Sequence, residues 1–67
     1  MSVRFRLQVR VAALEYRKFA RMVAMNTTGR KKVYATFTTL CTEMAFDYDM
    51  RESDVYLLCT RVASWIR

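Results

Sequence analysis

Histidine and proline are absent from this 67-residue chain, and glycine occurs once, as Gly29. Without histidine there is no ordinary Ser-His-Asp triad, no imidazole metal ligand, and no side chain whose unperturbed pKa lies near neutrality. One glycine cannot build the phosphate cradle of a nucleotide-binding loop. With so little punctuation the chain shows no linker, no low-complexity tract and no internal repeat. Cysteine is scarce too. Cys41 and Cys59 form no Cys-x-x-Cys pair, and no histidine could complete a zinc site with them. Both fall at helical spacings from apolar neighbours, which predicts buried, reduced thiols.

Long apolar runs are missing as well, so nothing approaches the roughly 20 residues of a bilayer span. The opening Met1-Ser2-Val3-Arg4-Phe5-Arg6 interleaves charge with apolar residues, unlike a signal peptide. The glycosylation pattern Asn26-Thr27-Thr28 is therefore read as accidental. Asp47, Asp49, Glu52 and Asp54 lack both the turn glycine and the closing acid of a calcium loop, those places holding Glu52 and Leu58. They read as a solvated inter-helix loop. The expectation is a cytoplasmic, non-enzymatic protein with no catalytic residues, no metal, no cofactor and no membrane association.

What is present is charge, unevenly placed. Residues 1–32 hold nine of the twelve cations, Arg4, Arg6, Arg10, Arg17, Lys18, Arg21, Arg30, Lys31 and Lys32, against the single acid Glu15. Residues 33–67 hold three cations and five acids. A half this basic repels itself unless something anionic lies against it, which points to nucleic acid or an acidic protein surface. The chain is also 54% apolar, too much for a disordered basic tail. It forms one small domain with a marginal core, and a second copy is the simplest source of further burial.

Periodicity divides the chain into four elements. Val3, Phe5, Leu7 and Val9 alternate with Arg4, Arg6, Gln8 and Arg10, the pattern of a strand with one apolar and one cationic face. Val9, Ala12, Ala13, Tyr16, Phe19, Ala20 and Val23 then step by three and four, predicting a helix over about 10–25 that stops at Asn26-Thr27-Thr28-Gly29. Val33, Phe37, Leu40, Met44 and Tyr48 predict a second helix over 30–48, although the threonines at 36, 38, 39 and 42 would suit a strand over 33–40. The last helix, 53–66, is capped by Ser53 or Asp54 and carries Val55, Leu58, Cys59, Val62 and Ile66 on one face. Trp65 is expected to pack. The predicted class is mainly α, in the order strand-helix-helix-helix.

A lone strand must pair, and the economical partner is the same strand of a second copy across a two-fold axis. Such a ribbon fits the DNA major groove, where arginine bonds guanine and glutamine bonds adenine. Arg4, Arg6 and Gln8 would read bases beside Arg10. Gly29, Arg30, Lys31 and Lys32, opening the next helix, would hold phosphate. The plainer alternative is a wet edge strand kept charged against aggregation.

The pieces Val3-Arg4-Phe5-Arg6-Leu7-Gln8, the helix around Leu14 to Met25, and Thr28-Gly29-Arg30-Lys31 resemble the ribbon-helix-helix family of small dimeric repressors and plasmid accessory proteins. The resemblance covers about residues 2–47. It implies base reading by Arg4, Arg6 and Gln8 and phosphate binding at Gly29 and Arg30. A longer inter-helix turn and the extra helix at 53–66 depart from that family's minimal pattern. The expected function is a DNA-binding transcriptional regulator or a plasmid or phage accessory factor, acting as a homodimer. The competing class is a small phage- or plasmid-type inhibitor or adaptor that docks its basic face on a larger host protein.

Overall fold

Ser2 begins a helix where the alternation predicts a strand. The computed structural model describes residues 2–66, which form three helices, α1 (Val3–Ala24), α2 (Arg30–Asp47) and α3 (Glu52–Trp65). No strand occurs among the described residues. The expected strand over 3–9, and with it the ribbon shared between two copies, is overturned.

The reason lies in the first two turns. The Ser2 hydroxyl accepts a hydrogen bond from the Phe5 amide at 3.0 Å and caps a donor the helix would otherwise leave open. Phe5 and Val9, four residues apart, continue into Ala12 and Ala13 as one buried line. A strand would leave the backbone groups of 3–9 waiting for another chain, whereas the helix satisfies them internally. The alternating residues therefore part company. Phe5 and Val9 enter the core, while Val3 and Leu7 stay outside.

The helix expected over 30–48 forms, and the alternative strand over 33–40 does not. Its β-branched residues are accommodated by back-bonding. The Thr36 hydroxyl donates to the Lys32 carbonyl at 3.1 Å and the Thr42 hydroxyl to the Thr38 carbonyl at 3.0 Å. Both inter-helix turns use the same closing device. Asn26 (φ 51°) and Asp49 (φ 52°) adopt the left-handed conformation just past α1 and α2. The next amides, Thr27 and Met50, then reach back to the Met22 and Ala45 carbonyls, each at 2.9 Å. This is the Schellman geometry with Asn and Asp where glycine is usual. Gly29 stands at the N-cap of α2 with φ 89°, opening that helix as expected, while the left-handed residue that closes α1 is Asn26.

At α3 the N-cap is Arg51, not Ser53 or Asp54, and its side chain makes no capping bond. Glu52 and Asp54 lie in the first turn, where the helix dipole favours acids. The core joins Phe5, Val9 and Ala12 of α1 to Phe37 and Met44 of α2 and to Val55 and Cys59 of α3. Ala12 and Ala13, fully enclosed, let the other helices approach α1 closely. Beside this core Tyr16 and Tyr56 flank Phe37, with ring centroids 5.0 and 5.5 Å from it. Trp65, expected to pack, is 67% exposed, and Ala20 and Val23 are also exposed rather than buried.

Candidate binding surface

Helical geometry redistributes the residues that the strand would have aligned. At about 100° per residue, Arg4 and Gln8 share one side of α1, and Arg6 and Arg10 lie about 160° away. Gln8 is moreover engaged, because its Oε1 accepts the Tyr48 hydroxyl hydrogen. Arg4 stands over the α1/α2 seam, in a shallow hollow of about 190 Å³ with Leu7, Val11, Leu40 and Glu43. The row of base readers therefore does not form.

Arg6 and Arg10 instead border α3. They line a groove of about 590 Å³ whose apolar wall includes Leu58, Val62, Trp65 and Ile66. Arg17 and Arg21 continue the same edge of α1, seven and four residues further on, around a hollow that contains Leu14 and Ile66. Four arginines thus follow one edge for roughly 22 Å, at 1.5 Å rise per residue. Arg17 is half-buried, and its Nη1 is enclosed with no hydrogen-bond partner among the described residues. A buried donor left open in this way costs the fold free energy.

Gly29, Arg30, Lys31 and Lys32 remain together at the start of α2, all exposed. That first turn has no acid, and Arg30 and Lys31 line a separate hollow with Phe19, Val23 and Tyr34. Among the described residues the only ion pair within 4.0 Å is Arg51–Asp54, between exposed side chains 3.7 Å apart. Among the described residues none of the nine cations in residues 1–32 has a carboxylate within 4.0 Å. Their field is uncompensated at short range.

The sequence reading missed the apolar half of this surface. Val3, Leu7, Val11 and Leu14 step by four, four and three along the outside of α1, yet remain 70, 58, 51 and 48% exposed. The signal was present as a second helical stripe. It was obscured because Val3 and Leu7 also fit the strand pattern.

No nucleophile stands out chemically. Cys41 and Cys59 are free and buried, as their spacing predicted. Burial, then the adjacent Cys41, pushes the Cys59 thiol up to about 12, and burial raises Cys41 as well. Both thiols are held in the unreactive protonated form. Hydrogen bonding with Tyr34, followed by burial and Tyr16, raises the Tyr56 hydroxyl. Asp47, Asp49, Glu52 and Asp54 are exposed, and no group of three potential metal ligands occurs among the described residues. Among those residues, no helix is long and apolar enough to cross a membrane. No family model matches the chain, and neither the curated proteins nor the solved structures gave a match to it.

Proposed function

We propose that this protein is a small non-enzymatic adaptor or inhibitor that docks its basic α1 surface on an acidic region of a larger protein. The observation that carries this reading is the exposed aliphatic stripe of Val3, Leu7, Val11 and Leu14 beside the edge of Arg6, Arg10, Arg17 and Arg21. Phosphates would satisfy the arginines but would leave the aliphatic groups facing water. A protein surface supplies carboxylates and apolar side chains together. Co-purification from source cells of one partner that stays bound in high salt is the expected result, because the apolar part of the contact is not screened. A partner set that dissolves into many proteins at moderate salt would count against it.

Nucleic-acid binding is the second reading, favoured by the uncapped, acid-free start of α2 at Gly29-Arg30-Lys31-Lys32 and by the absence, among the described residues, of carboxylate partners for the cations of residues 1–32. In this fold such binding would be backbone-directed, since the ribbon that would read bases does not form. A selection on random duplexes is then expected to retain DNA at low salt without enriching a sequence. Strong enrichment of one sequence with a symmetric footprint would return the regulator reading, including its homodimer, to first place.

A further inference from the structure

We infer that the α1 stripe is the seat of an amphipathic helix of the partner, one edge of which is acidic and lies over Arg10, Arg17 and Arg21. The inference rests on the protein-partner reading and specifies what that partner presents. Val3, Leu7, Val11 and Leu14 extend for about three turns, roughly 16 Å, at the three- and four-residue spacing with which one helix packs on another. A helix laid along them would remove their half-exposed surfaces from water.

The two flanks of the stripe differ, and that difference selects the occupant. On the α3 side the flank is wholly basic, with Arg6, Arg10, Arg17 and Arg21. On the α2 side Arg4 is followed by Glu15, and Glu43 of α2 lies in the hollow beside Leu7 and Val11, while Lys18 joins Arg17 and Arg21 around the hollow on the other flank. A uniformly anionic surface, whether membrane or nucleic acid, would be attracted by one flank and repelled in part by the other. A second copy would bring another half with the same excess of positive charge, adding repulsion where complementarity is needed. A helix with acids along one edge and mixed or neutral residues along the other complements both flanks.

The test uses the full chain and two synthetic peptides of about 18 residues, a length near the limit for isolated helices. Both have the same Leu, Glu, Ala and Gln content. One places Leu on a single helical face with Glu along one edge, and the other disperses the same residues. Tighter binding of the ordered peptide by about tenfold, equal to about 1.4 kcal/mol, is expected. The double change Leu7→Gln with Leu14→Gln should abolish that preference while leaving the far-ultraviolet circular dichroism unchanged. Arg10→Gln should weaken both peptides.

Equal binding of the two peptides would overturn the inference while leaving an acidic protein partner in place. Binding of a duplex DNA and of neither peptide would overturn the inference and the reading beneath it. Co-sedimentation with vesicles of phosphatidylcholine and phosphatidylserine, or self-association in analytical ultracentrifugation, would reassign the stripe if the Leu7/Leu14 double variant removed it. Either result would overturn the helix-docking inference.

Discussion

The Tyr48 hydroxyl donates a hydrogen bond to Oε1 of Gln8, joining the end of α2 to the second turn of α1 across forty residues of sequence. The same tyrosine meets Phe5 edge-on, with ring centroids 4.8 Å apart. These contacts anchor the segment whose alternation predicts a strand. Phe5→Ala should cost about 3–5 kcal/mol, and Tyr48→Phe about 0.5–1.5 kcal/mol, in urea unfolding. A Phe5→Ala cost no larger than that of an exposed-site change would show that the first turns of α1 contribute little to the fold.

Gly29 is the one position where the backbone requires glycine. An added Cβ would meet the Met22 Cε at 3.4 Å, an ordinary contact, so crowding is not the obstacle. The strain comes from φ 89°. Gly29→Ala should destabilise by about 1–2 kcal/mol, and Gly29→Asn by less, because Asn tolerates left-handed backbone better. Thermal unfolding of the two variants checks the order.

Cys59 predicts a loss of stability in strong alkali. Its folded pKa, about 12, lies above the ordinary thiol value of 9.0, so the folded state keeps a proton the unfolded chain releases. Its contribution is therefore complete below about pH 9 and falls as pH rises toward 12. Cys59→Ala should flatten that part of the stability profile relative to wild type. At neutral pH both native thiols should react slowly with a disulfide reagent and rapidly after denaturation. Fast native labelling with loss of binding would make the cysteines functional rather than structural.

Arg17 should show opposite effects on stability and binding. Its Nη1 is enclosed without a partner among the described residues, while its carbon stem lies near Leu14 and Ile66. Arg17→Met keeps most of the stem and removes the open donor, so the free protein should be equally or slightly more stable, by up to about 1 kcal/mol. Partner association should slow and lose part of its salt dependence. A destabilised variant with unchanged binding would assign Arg17 to the fold.

Much of this molecule is legible in residue order. The charge excess of residues 1–32, the helical stripes at Val9–Tyr16, Val33–Tyr48 and Val55–Ile66, and the burial of both cysteines follow from composition and spacing. Those properties are local or additive, so neighbours along the chain are enough to read them. The first nine residues are different. Val3, Phe5, Leu7 and Val9 fit a strand by alternation, and Phe5, Val9, Ala12 and Ala13 fit a helix by recurrence, so pattern alone leaves both open.

Tertiary structure decided between them. Tyr48 and the core beneath Phe5 exist as neighbours only after α2 has folded back, and they favour the helix because it buries Phe5 and Val9 while satisfying its own backbone. That choice turned Gln8 toward Tyr48, spread Arg4 and Arg6 to different sides, and left Val3, Leu7, Val11 and Leu14 as an exposed stripe. The sign and quantity of charge belong to the sequence. Which cations stand together, and what apolar surface they border, depended on the rotation of α1 about its own axis, which its packing against α2 and α3 sets.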